Sequence, residues 1–220
     1  MRTFGGITIV SCGTLSPELN YLSQTGFIDA DRILYTIPGL HENKNELKHH
    51  LTRQLKRAQQ YSSRVIVVYG EKCYIDMSTE PPQLVDDLIE AQGGCTSRVR
   101  AANCIDMLCS YEKRNEISGA DKIYWLTPGW LKYWKRIFKG WDIGKANETF
   151  PQNDKAVILD SVGIYDEYVA NFPQKLLEFS DWMKLPIEPH PVSLDRLQHL
   201  LLDQMRVLKR GEQYAGDASG

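Results

Sequence analysis

Four residues able to bind a soft metal recur at a nearly constant interval: Cys12, His41, Cys73 and Cys104, separated by 29, 32 and 31 positions. Three thiolates and one imidazole make a complete tetrahedral donor set for Zn²⁺. The same three thiolates can hold a 4Fe-4S iron–sulfur cluster and leave the fourth iron to His41, water or substrate. Ligand softness excludes magnesium and calcium as natural occupants. The available imidazole tips the choice narrowly to a zinc ion, with the cluster as the alternative. No two of the four stand at a chelate spacing such as CxxC, so the case rests on their common phase. Taken singly, each cysteine reads as core packing. His41 taken singly, within Pro38-Gly39-Leu40-His41-Glu42, reads as a loop or capping residue.

The phase comes from an alternation of strand and helix. Short apolar runs at 7–10, 32–37, 64–69, 122–126 and 155–159 suit strands buried on both faces, with a poorer one at 98–102. Helical patterns follow most of them. Ser16 to Gln24 has Pro17 in its first turn; Leu47, Leu51, Leu55 and Ala58 keep one face apolar; Leu84 to Ile89 follows Pro81-Pro82. Leu131, Trp134 and Phe138 mark another helix. Tyr168 to Met183 is helical with a break at Pro173, and Ser193 caps a last helix through Leu208. The fold expected is α/β: an open, mainly parallel, doubly wound sheet of the Rossmann-like kind, with helices on both faces. Residues 1–210 form one domain and 211–220 a flexible tail.

A βα unit occupies about 30 residues. Equal phase in successive units places Cys12, His41, Cys73 and Cys104 together at the carboxyl edge of the sheet, where this architecture puts its ligands. Thr127-Pro128-Gly129-Trp130 follows the fifth strand and Asp160 the sixth, so Thr127 brings a hydroxyl and Asp160 a carboxylate to the same edge. Their ordinary readings are a tight turn opening the next helix and a helix cap. Glu18 and Glu42, near Cys12 and His41, join Asp160 as candidate acid–base or supporting groups. Cys95 and Cys109 are out of phase. His49, His50 and His199 lie on amphipathic helices, and His190 stands between two prolines without a partner.

A chain of 220 residues with 42% hydrophobic and 25% charged residues is ordinary for a globular protein. Net charge −2 argues against nucleic acid as a partner; the one local basic cluster is Lys132, Lys135, Arg136 and Lys139. No run reaches the roughly 20 apolar residues that span a bilayer, and Met1 to Gly6 lacks signal-peptide character. A cytoplasmic location is expected, where five cysteines serve as thiols or ligands. GxGxxG, GxxxxGK[ST] and GxSxG are absent, which removes the usual support for dinucleotide, phosphate and acyl-transfer chemistry.

Pro-Gly-Leu-His-Glu at 38–42, Tyr-Gly-Glu-Lys-Cys at 69–73, Asn-Cys-Ile-Asp-Met-Leu at 103–108 and Leu-Thr-Pro-Gly-Trp-Leu at 126–131 are a specific set. With Ser-Cys-Gly at 11–13 and Leu-Asp at 159–160, they resemble the domain of unknown function 1638, found mainly in anaerobic bacteria and archaea. The resemblance runs from about Ile7 to Leu202. It implies that Cys12, His41, Cys73, Cys104 and the Thr127 to Trp130 turn, including Gly129, form the site, with the turn binding a cofactor. It also implies association with corrinoid-dependent methyl transfer. Some members carry His-Pro directly after the second cysteine, where this chain has Tyr74-Ile75, so if that histidine is a ligand elsewhere the site here differs or relies on His41. The function expected is binding of a thiolate-held metal that acts on a small molecule in one-carbon or sulfur metabolism. The alternative is a non-catalytic accessory protein docking a methyltransferase or corrinoid partner, through aromatics such as Trp130, Tyr133, Trp134 and Trp141.

Overall fold

Every residue of the first strand is buried, which forces it to the inside of a sheet covered on both faces. In the computed structural model, which describes residues 3–217, this strand is β1 (Ile7–Ser11). It is followed by α1 (Ser16–Gln24), β2 (Arg32–Tyr35), α2 (Lys44–Ala58) and β3 (Arg64–Val68). A two-stranded antiparallel ribbon of β4 (Ile75–Asp76) and β5 (Gln83–Leu84) leads into α3 (Val85–Glu90). Then come β6 (Cys95–Arg98), α4 (Cys104–Leu108) and α5 (Tyr111–Ser118). The remainder comprises β7 (Ile123–Leu126), α6 (Pro128–Ile137), α7 (Ile143–Thr149) and β8 (Lys155–Asp160). It ends with α8 (Ile164–Asn171), α9 (Pro173–Met183), β9 (Ile187–Pro191) and α10 (Asp195–Asp217).

The fold is α/β and Rossmann-like, with its parallel strands distributed over two sheets, ordered β2-β1-β3-β6 and β7-β8-β9. Side chains of successive strand residues alternate between faces, and the cores follow that alternation. Ile7, Ile9, Ile66 and Val68 face α1 and α10, meeting Leu19, Leu22, Leu197 and Leu201. Val10, Val65 and Val67 face α2 and α3, meeting Leu47, Leu51, Leu55 and Leu88. In the second sheet Leu126, Ala156, Ile158 and Ile187 face an aromatic layer that includes Phe138, Phe150, Phe179 and Trp182. Its opposite face sends Trp125 and Leu159 into the core of Ile9 and Ile66, so the two sheets share buried contacts. The last helix then crosses back over β3, β6 and α4, where the buried Ser97 hydroxyl donates to Gln204 Oε1 at 2.6 Å.

Three elements differ from expectation. The fourth strand is Cys95–Arg98, not 98–102, because Cys95 to Arg98 pairs with Arg64 to Val67. Beyond it, the Ala101 and Ala102 carbonyls leave the sheet to accept from the Glu71 and Lys72 N–H groups, each at 3.0 Å. His190 belongs to β9, an edge strand whose Pro189 and Pro191 escape the apolar-run criterion but are tolerated at a sheet edge. The segment from Gly211, expected as a tail, continues α10 to Asp217, since a helix already nucleated by its packed apolar face propagates at little cost; 218–220 lie outside the described residues. Among the described residues no helix is long and apolar enough to cross a membrane.

Candidate thiol site

Cys12 directly follows β1 and begins the 3₁₀ turn Gly13–Leu15, its Sγ 2.9 Å from the Thr14 hydroxyl. The Gly39 N–H and the Tyr69 hydroxyl face the same sulfur. Tyr69 directly follows β3 and is itself hydrogen-bonded to Thr36 Oγ1. Cys73 ends the 3₁₀ turn Glu71–Cys73, which the Ala101 and Ala102 carbonyls hold down. Gly70 makes that approach possible: a Cβ there would stand 2.4 Å from Ala102 O. Cys104 opens α4, behind Asn103, whose side chain caps the helix by accepting from Asp106 N–H at 2.9 Å.

The charge of Cys12 acts on Cys73 and Cys104, and that of Cys73 on Cys104. Burial comes first and pushes all three upward; Cys73 reaches about 12, with the charge of Cys12 adding to the rise. Cys104 is raised by burial, then by Cys73 and Cys12. All three retain some accessible surface, although they sit deep enough among protein atoms for burial to dominate. At neutral pH they are protonated thiols. Arg98, almost fully buried beside Cys73, is fixed by Asp86 at 2.6 and 2.8 Å and by the Tyr69 and Val99 carbonyls.

Glu18 is the more unusual member. It is fully buried in the first turn of α1, and neither carboxylate oxygen has a hydrogen-bond partner. Burial raises its pKa to about 8, and the Asp160 charge contributes; Glu18 in turn acts on Cys104. The Thr127 hydroxyl and the Trp130 indole N–H are also buried without partners, as are the Thr8 and Ser161 hydroxyls and Gln54 Oε1. The indole points toward Cys104 without reaching normal hydrogen-bond geometry. Native interiors leave few such groups unsatisfied, and each one calls for a physical reason.

The other candidates are placed differently. His41 lies in the 3₁₀ turn Leu40–Glu42, 3.7 Å from Glu42 and against the Trp130 ring at 5.6 Å. No thiol is among its partners in the described residues, and burial lowers its pKa. Glu42 is half-exposed and bonds Lys145 at 3.1 Å and Trp141 Nε1 at 3.3 Å. Asp160 caps α8, accepting from the N–H groups of Val162, Ile164 and Tyr165 at 3.3, 3.0 and 3.0 Å. Gly129 serves packing: a Cβ would stand 1.8 Å from Thr14 O, where α6 lies against the turn after Cys12. Gly129→Ala therefore separates these elements and destabilises the protein by about 3 kcal/mol or more, measurable by urea unfolding. Tyr69, not a soft-metal donor, directly follows β3 as Cys12 follows β1, a shared phase that the sequence displays. Among the described residues, no three His, Cys, Asp or Glu side chains are arranged as they stand to hold a metal ion.

Comparison with curated proteins and with solved structures finds no match. Residues 35–201, three quarters of the chain, match the family described as protein of unknown function (DUF1638), and the chain belongs to that family.

Proposed function

We propose that the thiolates of Cys12, Cys73 and Cys104 bind a soft metal and present it to a small molecule. The observation carrying this reading is a fully buried Glu18 carboxylate without a hydrogen-bond partner that acts on Cys104, the thiol that also feels Cys73 and Cys12. An isolated buried carboxylate is costly, and a cation beside it removes that cost. Three soft sulfur donors and one carboxylate oxygen suit zinc, while three thiolates alone suit a 4Fe-4S cluster with one open iron. On this reading Glu18, which acts on Cys104, would be the fourth donor in place of His41, whose ring packs against Trp130 instead. Either metal group supplies a Lewis acid for a bound thiol, water or other small ligand. The protein's own groups do the rest. Cys12, Cys73, Cys104 and Glu18 would hold the metal in their deprotonated forms, and Thr127 Oγ1 and Trp130 Nε1 would be free to hydrogen-bond a ligand of that metal. One-carbon chemistry linked to a corrinoid, or sulfur chemistry, is the substrate class, and a cytoplasmic setting keeps the thiols reduced.

The accessory reading has one observation in its favour. Ile75, Met77 and Leu84 stand exposed on the ribbon that follows Cys73. The aromatics first considered for docking are instead packed against the second core.

The deciding experiment is purification without oxygen, followed by a visible spectrum and assay of zinc, iron and sulfide per chain. Colourless protein with near-stoichiometric zinc supports the mononuclear site. Brown protein with about four irons and four sulfides supports the cluster. Protein carrying neither, and failing to take up either on reconstitution, overturns the metal reading.

A further inference from the structure

A cavity of about 420 Å³ lies where α6 meets α8 and α9. Its walls carry three rings, Tyr133 and Trp134 of α6 and Tyr168 of α8, and four cations, Lys132, Lys135 and Arg136 of α6 and Lys175 of α9. No carboxylate lines it. Lys135 is already neutralised by Glu178 at 2.6 Å. Lys132, Arg136 and Lys175 pair with no carboxylate among the described residues. Two of them rest on aromatic rings: Lys132 Nζ is 5.6 Å from the centre of the Tyr133 ring, and Lys175 Nζ 4.3 Å from that of Phe172. Such contacts orient an ammonium group without cancelling its charge. Glu167, whose charge acts on Tyr168, stands on α8 outside the lining; set against three cations it still leaves an excess of positive charge. The rings themselves are fixed by packing. Tyr133 Oη bonds Ser16 Oγ at 3.0 Å, Trp134 stacks on Phe179 at 5.0 Å, and Tyr168 meets Phe172 at 5.6 Å. A ligand therefore meets rigid walls, and only the long cationic side chains must be ordered on binding.

We propose that this cavity binds a small phosphate monoester, its phosphate held by Lys132, Arg136 and Lys175 and its organic part laid against Tyr133 and Tyr168. A phosphate monoester carries close to two negative charges near neutral pH, so it answers several cations in one concavity better than a monocarboxylate does. A guanidinium can hold two of its oxygens through parallel hydrogen bonds, and the ammonium groups add point charges. The volume sits at the small end of the roughly 300–1,000 Å³ typical of small-molecule sites, which suits a compact ester. None of these residues belongs to the thiol site, so the proposal stands apart from the metal reading.

Calorimetric titration of the full chain with phenyl phosphate tests it, with benzoate and phenol as comparisons that keep the ring and reduce or remove the charge. Saturable binding of phenyl phosphate with a Kd of roughly 1 mM or tighter is expected. It should weaken at least about tenfold in K132Q/K175Q and stay unchanged in K139Q, because Lys139 does not line the cavity. Both lysines are exposed, so the variants keep the fold, which circular dichroism checks. Absence of saturable binding by phenyl phosphate, equal binding by K132Q/K175Q and the parent chain, or binding of benzoate or phenol as tight as that of phenyl phosphate overturns the proposal.

Discussion

On the metal reading, serine at position 73 or 104 is expected to abolish stoichiometric metal binding. The affinity lost exceeds the roughly 10–100-fold that follows removal of an outer-shell partner, because a donor sulfur is itself removed. The fold survives, since the metal-free thiols are neutral and serine is nearly isosteric; unchanged circular dichroism checks this. Cys95→Ser is the control: Cys95 lies at the start of β6 and has no part in the coupled trio. The pH dependence has a definite sign. Burial holds Cys73 near 12 and raises Cys12 and Cys104 as well. At neutral pH each thiol must lose a proton to bind, so apparent affinity rises with pH. Calorimetry in two buffers of different ionisation enthalpy counts the protons released. Full metal content in both Cys73→Ser and Cys104→Ser protein would remove these sulfurs from the site.

Glu18→Gln flattens the pH dependence of stability in the metal-free protein. The Glu18 pKa is raised from an ordinary 4.5 to about 8 by complete burial. Between those values the folded protein keeps a proton that the unfolded chain has lost. Stability therefore falls as pH rises from 4.5 toward 8, by about 1.4 kcal/mol per unit, and is level above 8. By pH 7 the loss is about 3 kcal/mol. Glutamine has the same shape and no such titration. The difference between parent and variant in urea unfolding at pH 5.5 and 7.5 isolates Glu18 from His41 and other titrating groups. Equal slopes in the two proteins would mean that the carboxylate is solvated or paired in solution, and would remove the observation on which the metal reading rests. The same variant should bind zinc more weakly if Glu18 supplies the fourth donor.

What the sequence by itself determined is the α/β class and the phase of the three cysteines. Apolar runs of four to six residues buried on both faces have few alternatives to parallel strands. The about 30-residue βα period then sends Cys12, Cys73 and Cys104 to one edge wherever the individual strand boundaries fall. The shift of β6 from 98–102 to Cys95–Arg98 accordingly left Cys104 in place. His41 shares that phase, yet phase fixes an edge and not a direction. The left-handed turn at Gly39 carries the next residues into a 3₁₀ turn and sets His41 against Trp130. Only the tertiary structure could show that Glu18, an ordinary first-turn glutamate in an amphipathic helix, is fully buried without a partner, because its surroundings come from elements distant in the chain. The same holds for the division into two sheets and for the cavity at Lys132, Arg136 and Lys175. Local pattern encodes which face of an element is apolar, whereas the partner of that face is decided by the packing of the whole chain.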